Sequence, residues 1–297
     1  MKPAAFDYHA PPSIQETLAM LATFVRDDRN VKLLAGGQSL IPLMNIRLAE
    51  PEIVIDLNGL EAELSYVRLD GSTLRIGALT RHHHVADDPL VLAHAPLLAE
   101  ATSLIGHAAI LSRGTIGGSL VHADPAAEFP LAAVALGATV TLRKLAGART
   151  LDARDFFLAA LTSDVEPDEI LVETVFPVMP PRSGQAIAEF SRRHGDFAIV
   201  AAAAQISLAS DGTLADARLA VGGATQTPLA CAELLDPLVG SVPSDGALRG
   251  ALSTVAALVD PDADIHANAD DRRELAVEMA LRATRRALER ARARLAD

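Results

Sequence analysis

The sequence predicts an α+β protein of at least two units, on three observations. Its 297 residues suffice for two or three compact cores. Two glycine-paired turns, AGGQSL at 35–40 and GTIGGS at 114–119, lie in the first part of the chain, the first directly behind the branched-aliphatic run Val31–Leu34. Past Pro180, Pro181 and Gly184 the texture changes to strand-like runs and then to helical spacing, the order of an antiparallel sheet with helices on one face.

Residues 14–25 carry Ile14, Leu18, Leu21 and Phe24 at helical spacing after Ser13, a good N-cap. Val31–Leu34 and 52–57 (EIVIDL) read as strands, and SLIPLMNIRL between them reads as a short helix or an irregular segment. A strand over 74–79 follows the turn Asp70–Gly71, and 90–105 reads as one helix. Residues 131–136 are helical and end at Gly137; 139–143 and 170–176 are strands. The breaker-rich stretch 178–184 is the domain boundary, dividing 1–176 from 177–297. Beyond it, strands are expected at 186–190, 199–208 and 214–221, then helical segments centred on 233, 252 and 284.

Composition narrows the function. A net charge of −12 disfavours a nucleic-acid partner and docking on an anionic membrane. The single cysteine, Cys231, excludes an internal disulfide, a cysteine-ligated zinc site and an iron–sulfur cluster held by this chain alone. The N-terminal residues lack the apolar core of a secretory leader and no run approaches a membrane span, so a soluble cytoplasmic protein is expected.

The glycine turns carry the chemistry. Glycine pairs remove the Cβ atoms that would hold a bulky anion off the backbone and permit positive φ. With no basic side chain behind it, a diphosphate in such a turn rests on backbone N–H groups. Read alone, the first turn fits a plain strand-to-helix connection as well as an anion cradle. It is neither a Rossmann nor a Walker motif, and Lys32 precedes the glycines. Arg113–Ser119 concentrates one cation, two hydroxyls and three glycines, with His122, Asp124 and Glu128 behind it. A carboxylate there can accept from sugar hydroxyls. Two cradles in one chain favour a large ligand with a diphosphate in its middle. The consecutive His82, His83 and His84 spread around a helix and cannot share a metal, and Arg282, Arg285, Arg286 and Arg290 read as a solvated face that could also meet an acidic partner.

Together, AGGQSL, RGTIGGS, HADPAAEFP, DEIL and SRRHGDFAIVAAAA, in this order, resemble the FAD-binding medium subunit of molybdenum hydroxylases, the family of the carbon-monoxide dehydrogenase medium chain and the xanthine dehydrogenase flavin subunit. The resemblance implies a two-lobed FAD-binding domain of the vanillyl-alcohol oxidase type over 1–176, with lobes of about 1–57 and 58–176, followed by the family's C-terminal domain. It implies non-covalent FAD lined by Leu33, Leu34, Ala35, Gly36, Gly37, Gln38, Ser39 and Leu40, with Gly114, Thr115, Ile116, Gly117, Gly118 and Ser119 closing the cradle from the other lobe. Ile105 and Leu171 match apolar cofactor contacts, Asp124 and Glu128 lie in the acidic segment, with Glu128 at a position that binds a cofactor hydroxyl, and Phe197 takes the aromatic place by the isoalloxazine ring. Many relatives carry a lysine before the SRR segment, where this chain has Ala188 and Glu189.

The implied function is electron transfer within a molybdenum hydroxylase, from a small iron–sulfur subunit to an external acceptor. A large molybdenum-cofactor subunit and a dimer of heterotrimers are implied with it. No residue here is expected to act as acid, base or nucleophile, and no metal is expected in this chain. The alternatives are a stand-alone FAD-dependent reductase or oxidase and a scaffold that has lost its flavin.

Overall fold

The computed structural model describes residues 2–295. Its first lobe is a parallel three-stranded sheet in which Ile53–Asp56 lies between Asp7–His9 and Val31–Leu34. Ser13 caps the helix Ile14–Arg26, accepting from the N–H of Glu16 at 3.2 Å. That helix buries Ile14, Leu18 and Leu21 against Ile53, Ile55 and Leu60.

The second lobe is an antiparallel sheet in the order Val67–Asp70, Thr73–Gly77, Ile170–Pro177, Thr139–Lys144, Gly147–Asp152. Helices between residues 82 and 136 cover it. Alternation along Ile170–Pro177 joins the lobes, since Ile170 packs into the first core and Leu171 into the second. The single helix expected over 90–105 is two helices, Pro89–His94 and Pro96–Leu104. Pro96 forces the break: it has no N–H, and its ring pushes Ala95 out of the helical region to φ −146°, ψ 57°.

The C-terminal unit is an antiparallel sheet ordered Ser183–Phe190, Val200–Leu208, Leu214–Gly222, Leu229–Ala230, with the long helix Ala269–Ala293 across it. Every residue of Val200–Leu208 is buried. Ala202, Ala204 and Ile206 face that helix, whereas Ala201 and Ala203 join the core of the second lobe. The sheet is therefore packed on both faces, one of them against Glu128–Leu136. Gly184 lets the helix approach: a Cβ there would fall 2.6 Å from the Ala291 nitrogen and 2.7 Å from the Arg290 Cβ.

The arginines of the last helix are not a merely solvated face. Arg286, Arg290 and Arg294 donate to the carbonyls of Ile187, Gln185 and Ser183, at 2.9, 2.5 and 3.0 Å. Four helical residues advance about 6.0 Å and two strand residues about 6.6 Å, so one arginine per turn meets every second carbonyl of this edge strand. Arg286 and Arg290 also hold Glu100 of the second lobe.

Candidate functional site

The site begins where Val31–Leu34 ends. Gly37 adopts φ +71°, which turns the chain toward the helix Leu40–Asn45. No acceptor among the described residues receives the N–H groups of Gly36, Gly37, Gln38, Ser39 or Leu40. A consecutive row of backbone donors left free by the fold, turned through a glycine at positive φ, makes a nest that suits an anion. Gly36, Gly37 and Gln38 border a cleft of about 410 Å³ whose other walls include Ile41, Pro42, Asn58 and Arg113, while Ser39 and Leu40 lead into the helix without lining it.

The second glycine segment is built differently. Its N–H groups are largely used within the fold: Ile116 donates to Thr80 O, Gly117 to Ala78 O, Gly118 to Thr115 Oγ1 and Ser119 to Thr115 O. Thr115 thereby caps the helix Ile116–His122. The expected second row of free donors is absent because the helix and the neighbouring strand end consume it. The glycines serve close packing instead. A Cβ on Gly36 would stand 2.8 Å from the Gly114 Cα, one on Gly114 2.6 Å from the His82 ring, and one on Gly117 2.6 Å from the Ala78 Cβ. The two segments touch, and the second walls the first.

A basic group does stand behind the cradle, contrary to the expectation from sequence. Arg81 is 9% exposed and lines the cleft. It donates to Arg113 O at 2.5 Å, Asn58 Oδ1 at 2.7 Å and Glu61 Oε1 at 2.6 Å. Asn58 in turn donates to Ala35 O at 3.0 Å. A phosphate-bearing ligand fits this set of donors, with unpaired amides in front and a paired guanidinium behind.

Residues 4–179 match the family described as FAD binding domain in molybdopterin dehydrogenase, and residues 185–287 the CO dehydrogenase flavoprotein C-terminal domain. The chain belongs to this flavoprotein family. It is 38% identical over 292 residues to 6-hydroxypseudooxynicotine dehydrogenase complex subunit alpha of Paenarthrobacter nicotinovorans, covering 98% of this chain and 97% of the relative. The carbon monoxide dehydrogenase medium chain of Hydrogenophaga pseudoflava is 36% identical over 283 residues, covering 95% of this chain and 97% of its own. A solved structure of carbon monoxide dehydrogenase from that organism superposes with a TM-score of 0.93 at 36% identity, covering 98% of this chain and 99% of that one. This protein is thus an FAD-binding medium subunit of a molybdenum hydroxylase-type dehydrogenase, an oxidoreductase component. FAD is its cofactor.

Of the remaining expected contacts of the medium subunit, Ile105, Asp124, Glu128 and Phe197 lie outside the lining of the cleft. Leu34, Ala35, Gly36, Gly37 and Gln38 line it, while Leu33 packs partly into the first core. Asp124 accepts from the N–H of Ala126 at 2.9 Å, and Pro125 O accepts from Gly223, tying this segment to the C-terminal sheet. Glu128 opens the helix Glu128–Leu136 and is buried. Burial, with Glu189 and Asp124 nearby, pushes its carboxyl up to about 8. Glu128 therefore keeps its proton at neutral pH and can donate as well as accept, unlike the acceptor-only carboxylate expected from sequence. Ile105 follows the helix Pro96–Leu104. The 191–198 segment rests on that loop, since a Cβ on Gly195 would meet Gly106 O at 2.7 Å. Phe197 in that segment is 68% exposed. Leu171 is a core side chain and does not line the cleft, because strand alternation turns it into the second lobe. Asn58 and Arg81 were not signalled by any local pattern.

Proposed function

We propose that the subunit receives electrons from an iron–sulfur partner and delivers them to an external acceptor, holding FAD non-covalently in the cleft between the lobes. The observation that carries this reading is the row of unpaired amides from Gly36 to Leu40. These residues hold the diphosphate. Thr115 to Ser119 form the wall that keeps it there, and Glu128 and Asp124 offer hydrogen bonds to cofactor hydroxyls. Ile105 and Phe197 supply apolar surroundings, with Phe197 exposed and free to lie on a ring face.

The chemistry supplied by bound FAD is the exchange of electrons one or two at a time. What the chain supplies is binding, orientation and exclusion of water. Cys231, the one thiol, is buried in the C-terminal core and pushed by burial up to about 12. It supports neither a cluster nor a covalent flavin link. Electrons therefore reach this subunit from another chain, the small iron–sulfur subunit; by likeness to the family we place beside it a large molybdenum-cofactor subunit, in a dimer of heterotrimers in the cytoplasm. The domain division we propose runs between residues 176 and 177.

The test is the visible spectrum of the purified full chain and the set of chains that co-purify with it from its native host. Flavin absorption near ~450 nm together with an iron–sulfur partner is expected. A chain that stays colourless after incubation with FAD would overturn the reading.

A further inference from the structure

We propose that Arg81 is the positioning residue of the diphosphate site: it locks the second glycine segment to the first lobe and turns two carbonyl dipoles away from the anion. The proposal rests on the reading of the cleft as the FAD site. Arg81 leaves the second lobe at its bridge to Thr115, and its guanidinium reaches Asn58 and Glu61, whose neighbours Leu60 and Leu64 pack in the first-lobe core although the sequence division at 57/58 assigns them to the second lobe. Through Arg113 O directly and Ala35 O by way of Asn58, it is tied to both glycine segments.

Two carbonyl oxygens threaten an anion here. Arg113 O presses on Gly36, where an added Cβ would overlap it. Arg81 takes up that oxygen directly. The cradle's own first carbonyl, Ala35 O, is taken up by Asn58, whose oxygen Arg81 holds. With both acceptors occupied, neither Ala35 O nor Arg113 O is left bare beside the unpaired amides. The charge balance points the same way. Glu61 is 54% exposed on its side chain while Arg81 is nearly dry. The neutralising carboxylate is screened by water and the guanidinium is not, so a positive field remains toward the cleft.

The experiment uses the full apo-chain as wild type, Arg81→Lys, Arg81→Met and Glu61→Gln. FAD is titrated by flavin fluorescence, ADP and adenosine compete against it, and apo-protein melting is recorded. Arg81→Met is expected to weaken FAD and ADP by about tenfold to hundredfold, the scale of a charge-assisted hydrogen bond, and to leave adenosine nearly unchanged. Arg81→Lys is expected to recover part of the loss, and Glu61→Gln to bind FAD at least as tightly as wild type. The salt dependence of FAD binding should flatten in Arg81→Met. Equal losses for FAD, ADP and adenosine alongside a lowered melting temperature would make Arg81 a structural residue only and overturn the proposal. So would FAD binding that is unchanged in Arg81→Met, or weakened in Glu61→Gln. If Arg81→Met does not fold, the Lys and Gln variants decide by the same ratios. A wild-type chain that takes up no FAD would instead remove the cleft reading itself, and the proposal with it.

Discussion

Adjacent glycines in the first turn serve different ends. Gly37 needs its left-handed backbone, whereas Gly36 needs the absence of a Cβ where the Arg113 carbonyl lies. Gly37→Val is expected to lower bound flavin per chain more than about tenfold, measured by absorbance, because a β-branched residue is strained at φ +71°. Gly36→Ala should lose flavin too, by forcing the two glycine segments apart. A second expectation concerns pH. Burial moves Glu128 from 4.5 up to about 8. Between those values the folded chain holds a proton that the unfolded chain has released, so stability falls as pH rises through this window. Glu128→Gln is expected to flatten that fall, read from melting temperatures at about pH 5 and about pH 8. His82 acts oppositely: burial lowers it from 6.5 to about 4, so acidification across that range costs stability. At this scale the sequence displayed the glycines but not their division of labour. Arg81 was hidden because its partners stand 20, 23 and 32 positions away and three conspicuous histidines follow it.

Among the elements, the last helix and the edge strand beside it are matched by their repeat lengths. Replacing Arg290 with Ala is expected to destabilise the fold by about 1 kcal/mol, below the usual range for charged hydrogen bonds because the side chain is partly exposed and screened by water. Replacing Arg286, Arg290 and Arg294 together should also bare the edge carbonyls and produce concentration-dependent self-association, visible by light scattering. Periodicity showed this helix clearly but not what its arginines reach, since the receiving groups are backbone atoms a hundred residues earlier. It likewise joined 90–105 into one helix, because the apolar spacing continues across Pro96 although the backbone cannot. The α+β class itself was legible, since glycine, proline and Asp–Gly turns punctuate nearly every strand.

For the whole molecule, the alanine run at 201–204 decides how the units meet. Alanine suits either side of a sheet, so the run carries no alternation from which two packed faces can be read. The structure shows both faces occupied, one by the long helix and one by Glu128–Leu136. Residues 1–179 expressed alone are therefore expected to lose the cover of Leu131 and Val134 and to elute as aggregates in size-exclusion chromatography. Ala203→Leu should lower the melting temperature of the full chain, through overpacking worth about 1–3 kcal/mol.

A party wall one methyl group thick on either side leaves the two halves no independent life. Heating should therefore melt the subunit in one calorimetric step. Loosening the far helix should drag the first half down with it, because the masonry is common to both rooms.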